Sequence, residues 1–133
     1  MLICVRYFLR NEEPKIGLDM YAFAHKSDDL ADDDKPIEIA YWRKFNALHG
    51  WMEDLYKSRG NAAVFNCVEL PLLKTDLDRL EDDVKNRRLT ERQGFFWGSY
   101  PPDDEDYESV LVFIRKARDY MNNGYDIYYD SWW

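Results

Sequence analysis

The stretch EIAYWRKFNALHGWMEDLY, residues 38–56, constrains the fold most, because it commits the chain to a long amphipathic helix entered from an extended segment. Laid out at about 100° per residue, Tyr41, Phe45, Leu48, Met52 and Leu55 fall on one side and predict a helix over 41–59 with that side in the core. Pro36 ends an acidic loop, residues 37–40 read as a short strand, and Gly60 and Asn61 stop the helix with residues that tolerate left-handed backbone. Beside the apolar line run Trp42, Asn46, His49 and Glu53. An indole, an amide, an imidazole and a carboxylate together suit a planar polar group such as a nucleobase or a partner's arginine. A long helix also has a boundary stripe for no functional reason, and periodicity does not separate the two readings.

The rest of the chain supplies the layers around that helix. Residues 3–9 and 18–24 have the β-branched and aromatic content of two strands joined through NEEPKIG, and 27–35 read as an acidic loop. AAVFNCVEL, residues 62–70, alternates as a strand in which Asn66 is the odd member of its side. A short helix over 76–86 rests on Leu77, Leu80 and Val84. The Gly-, Pro- and aromatic-rich run 93–103 reads as a loop that carries Phe96 and Trp97. A helix over 104–123 opens on acids and buries Tyr107, Val110, Leu111, Ile114, Ala117 and Met121. Arg118 falls inside that line, so it reaches the rim, pairs with a carboxylate or points into a cavity. Residues 125–133 form a final strand with Tyr128 and Trp132 on one side and Tyr129 and Trp133 on the other. The sum is one α+β domain over 1–133, a mostly antiparallel sheet with three helices packed on it.

Charge narrows the function. The chain has 133 residues and a net charge of −8, from 26 acidic against 18 basic side chains. Its one dense basic group, Lys85, Arg87, Arg88 and Arg92, is small and sits among acids, which argues against direct nucleic-acid binding. His25 and His49 are the only histidines and form no metal-binding spacing; GxSxG, Walker and GxGxxG motifs are lacking. No catalytic residue, metal or cofactor is therefore assigned. Cys4 and Cys67 form no CxxC pair and read as small hydrophobes. The N-terminal LICVRYFL is broken by Arg6 and does not read as a signal peptide, and no apolar run reaches membrane-spanning length, so the expectation is a cytoplasmic protein without a membrane partner. Ten Tyr, seven Phe and five Trp are more than a core of this size can hide, which points to an aromatic interface or stacking wall; an aromatic-rich core is the competing reading.

The motifs GLDMYA, EIAYWRKFNALHGWM, FNCVEL, GFFWGS and a terminal YYDSWW resemble, in that order, a family of small proteins encoded mainly by bacteriophages and prophages. The resemblance covers residues 17–133, with 1–16 as an N-terminal extension. Some members carry the label phosphoglycerate kinase, which a chain of this size without a nucleotide-binding loop does not fit. The resemblance implies a phage accessory protein and carries over no established activity. Together with the loop aromatics and the lack of a catalytic signature it leads to the expectation of a protein that binds and modulates a host protein or ribonucleoprotein complex, an inhibitor of a defence system such as CRISPR-Cas being one form this takes. Self-association is left open. The residues expected to carry binding are Trp42, Arg43, Asn46, His49, Glu53, Phe96, Trp97, Arg118 and Trp132. The alternative is a nucleotide-like ligand, or an enzyme acting on one, at Trp42, His49 and Arg118.

Overall fold

A computed structural model describes residues 17–26, 35–90 and 101–133. Along these run β1 (Asp19–His25), β2 (Ile37–Arg43), α1 (Asn46–Ser58), β3 (Leu70–Leu72), α2 (Lys74–Lys85), α3 (Asp104–Asn122) and β4 (Asp126–Trp132). The strands form one antiparallel sheet in the order β2-β1-β4-β3, and with the three helices this is the expected α+β fold. The first strand and the aromatic loop anticipated from sequence, with Phe96 and Trp97, lie outside the described residues. Among the described residues no helix is long and apolar enough to cross a membrane.

Period-2 alternation divides the sheet into two faces. Met20, Ala22 and Ala24 of β1 and Ile127 and Tyr129 of β4 are buried on the core face, with Leu48 and Met52 of α1, Leu77 and Leu80 of α2, and Val110, Phe113 and Ile114 of α3 in the same apolar cluster. The register of β1 and β2 shifts opposite Ile39, so that Ile39 as well as Trp42 reaches this core.

The helix expected over 41–59 begins later. Tyr41, Trp42 and Arg43 continue β2, pairing with Tyr21, Met20 and Asp19, and Lys44 then takes a left-handed φ of 57° that breaks the chain before Asn46. A bulky residue gives up the right-handed region only where tertiary contacts favour it, and here the Lys44 N–H is tied to the Leu18 carbonyl at 2.8 Å. Gly60, at φ 85°, ends α1 as anticipated, and its N–H bonds the Lys57 carbonyl. Arg59 then joins three elements: it donates to the Pro71 carbonyl of β3 at 2.6 Å and to Asp76 at the start of α2. Asp76 also accepts from the Leu73 N–H at 2.8 Å and so closes the first turn of α2.

The strand expected over 62–70 is reduced to Leu70–Leu72. Cys67 has a left-handed φ of 59°, which interrupts the regular extended ladder at that point. Its N–H nonetheless bonds the Ser131 carbonyl at 2.9 Å. One residue earlier the Asn66 amide does the work of a backbone: Oδ1 accepts from the Trp133 N–H and Nδ2 donates to the Trp133 carbonyl, both at 3.0 Å. The segment therefore lies along the end of β4 without being a strand.

Candidate functional site

The residues singled out from sequence separate into four places. Trp42 is buried between the sheet and α3, edge-on to Phe113 at 5.3 Å, with its indole N–H donated to Ser109 at 3.0 Å. His49 is fully buried elsewhere in the core, stacked on Phe65 at 5.1 Å, with Nδ1 2.6 Å from the Tyr129 hydroxyl. Burial, with Asp130 close by, pushes the Tyr129 hydroxyl well above the usual phenol range. Ser131 opposes that shift, although its own hydroxyl finds no partner at hydrogen-bond distance among the described residues. Asn46 is buried at the first position of α1, and Glu53 lies half-buried beside Lys57, one turn on, at 3.6 Å.

Arg118 resolves its three options by pairing. It meets Glu81 at 2.7 Å and Asp78 at 2.8 Å across the α2–α3 seam, and its guanidinium holds the Glu81 carboxyl below the usual range. A hollow of about 220 Å³ adjoins it, lined by Lys74, Asp78, Met121 and Asn122. Ser109, which holds Trp42, is nine positions before Arg118 on α3, about 13 Å along a helix axis. Trp42, His49 and Arg118 therefore do not converge on one cavity.

Arg43 and Trp132 do converge, on the second face of the sheet. Asp19 is the cross-strand partner of both, Arg43 on β2 and Trp132 on β4. Its carboxylate is fully buried, accepts from the Tyr41 hydroxyl at 2.7 Å and lies 3.9 Å from the Arg43 guanidinium. Tyr41, Tyr21 and Phe23 continue as an aromatic row, with centroids 5.0 Å and 5.9 Å apart. Tyr41 is 43% exposed, and Asp130 stands opposite Tyr21 on β4. Segments distant in sequence, GLDMYA, YWRK and DSWW, thus meet at one end of three adjacent strands.

A further place was missed by the sequence reading. Ala47, Trp51, Asp54, Leu55 and Ser58 lie along one side of α1 and face Arg79 and Asp83 of α2 and the returning Arg88–Thr90 across a cleft of about 400 Å³. The signal was present as a second i, i+4, i+7 line through Trp51, but the expected stripe took its bearing from Trp42, which is not on the helix. No family model, curated protein or solved structure matches the chain.

Proposed function

We propose that this is a phage-encoded accessory protein that binds a host protein or ribonucleoprotein complex in the host cytoplasm and modulates it, a defence system such as CRISPR-Cas being one such target. The observation that supports this reading best is the second sheet face, where Tyr41, Arg43 and Trp132 gather around Asp19. Tyr, Trp and Arg are the side chains that most often dominate the energy of protein interfaces, since each joins a broad apolar surface to a directed polar group. The buried carboxylate fixes the Tyr41 hydroxyl, so the ring is held in place before a partner arrives, which lowers the entropy cost of binding. The net charge of −8 steers such a surface toward basic partners, as nucleic-acid-handling complexes are.

The test is phage plating on isogenic hosts with and without the defence system, with the protein supplied from a plasmid. Wild type should restore plating on the defended host alone, and Arg43→Ala, checked for folding by circular dichroism, should lose most of that effect. Equal plating on both hosts with wild type, or full activity of the Arg43 variant, refutes the reading.

A further inference from the structure

We propose that the cleft between α1 and α2 binds a nucleoside monophosphate, with the phosphate on Arg79 and Arg88 and the base laid against the Trp51 indole. This stands apart from the host-interaction reading and involves none of its residues.

The cleft is built, not incidental. Trp51 donates its indole N–H to Asp83 at 2.8 Å, which fixes the ring as a wall running from the core to the rim. Arg87, at φ 52°, turns the chain back after α2, and the Arg88 N–H bonds the Asp83 carbonyl at 2.7 Å, so that Leu89 and Thr90 close the far side. A volume of about 400 Å³ lies within the roughly 300–1,000 Å³ range of small-ligand sites.

The charge inventory selects the ligand. Asp83 spends its carboxylate on Trp51 and on the Arg88 Nε at 3.0 Å, and Arg88 spends a second nitrogen on Asp82. Arg88 is thereby oriented and keeps a third nitrogen, while Arg79 makes no ion pair or side-chain hydrogen bond among the described residues. An uncommitted guanidinium and an oriented one on the same cleft suit a phosphate through charge-assisted bonds, acting locally against the repulsion of a chain of net charge −8. The apolar surface of Leu55, Leu89 and the indole suits a flat ring, since every base presents a π-face. Asp54 and Thr90 add acceptors where sugar hydroxyls would lie, and a carboxylate there disfavours a ligand that is anionic at both ends. A mononucleotide meets all three demands; inorganic phosphate meets one and a nucleoside two.

Isothermal titration with AMP, adenosine and inorganic phosphate, each taken into the millimolar range, separates the contributions. AMP should bind saturably and at least about tenfold more tightly than either fragment, because the two contacts act together. Arg79→Gln should weaken AMP and phosphate by about tenfold or more and leave adenosine unchanged; Arg79 is exposed on α2, so this variant should fold, as far-UV circular dichroism will verify. Trp51→Phe should weaken AMP and adenosine but not phosphate. The proposal is overturned by an absence of saturable AMP binding, by an Arg79→Gln affinity equal to wild type, or by phosphate binding as tightly as AMP.

Discussion

Replacing Tyr129 by Phe removes one oxygen from the most enclosed polar pair in the fold. Tyr129 and His49 are both fully buried, and the 2.6 Å contact between the phenol and Nδ1 ties the middle of β4 to α1. The substituted ring keeps its place against Phe65, 5.9 Å between centroids, so little packing is lost. What remains is an imidazole nitrogen without its partner in an apolar setting, and the cost of stranding a buried polar atom is about 1–3 kcal/mol, above the roughly 0.5–1.5 kcal/mol of an ordinary net hydrogen bond. Urea unfolding followed by fluorescence should show that loss as a lower midpoint at constant slope. Replacing His49 by Phe as well should recover part of the cost, since removing both partners of a buried bond is cheaper than removing one.

The same pair fixes a pH dependence. The folded-state Tyr129 pKa lies above the unfolded value of about 10, so the native state holds its proton where the unfolded chain has lost it. Stability from this group is complete below about pH 10 and falls as pH rises from there toward the folded pKa, by up to about 1.4 kcal/mol per unit. Tyr128, raised chiefly by burial and less enclosed, adds a smaller slope of the same sign. Tyr129→Phe should flatten the alkaline limb relative to wild type. A variant as stable as wild type at neutral pH, with an unchanged alkaline limb, would refute the account of a buried, protonated phenol held by His49.

The elements that sequence described well are those whose signals are local. The helix over 104–123 was legible because its cap is written in adjacent residues: Asp103 accepts from the Asp106 N–H at 2.8 Å and Asp106 accepts from the Asp103 N–H at 3.0 Å. The final strand was legible from its alternation, with Tyr129 buried on the core face and Trp132 on the other. The start of α1 was not. Tyr41 and Trp42 continue the helical periodicity as well as they continue the strand, and only β1, twenty residues away, decides in favour of the strand. That one boundary moved Trp42 off the helix and dissolved the expected site. Arg43 and Trp132 were both expected among the binding residues from sequence, and their meeting at Asp19 depends on a register that no local pattern specifies. The cleft beside Trp51 was hidden for a related reason: Arg79 and Arg88 read as scattered surface charge until the left-handed turn at Arg87 folds one toward the other wall.

Three further outcomes follow from contacts already described. Asp103→Ala opens the capping box of α3 and should cost about 0.5–2 kcal/mol in thermal or urea unfolding, with Asp103→Ser close to wild type. Arg118→Met should cost no more than about 1 kcal/mol at neutral pH, since the pair with Glu81 and Asp78 is part-exposed and screened. The Glu81 carboxyl is depressed in the fold, so its share of stability is present above its ordinary pKa and lost as pH falls; wild type and Arg118→Met should converge in acid urea titrations. Asn66→Ala tests whether a side chain can substitute for a missing strand. Two bonds of 3.0 Å join its amide to both backbone groups of Trp133, and both partners are half-buried, so about 1–2 kcal/mol is at stake. The loss should be local, because the Trp133 indole still donates to the Phe65 carbonyl and β4 remains paired with β1. Amide exchange should therefore rise about tenfold or more at Trp133 and little at Tyr129, and Asn66→Asp, which keeps the acceptor but sets a charge against the Trp133 carbonyl, should fall between the two. Equal protection of Trp133 in all three proteins would mean that the end of β4 is held by the indole alone, and Asn66 would be a passenger in the turn.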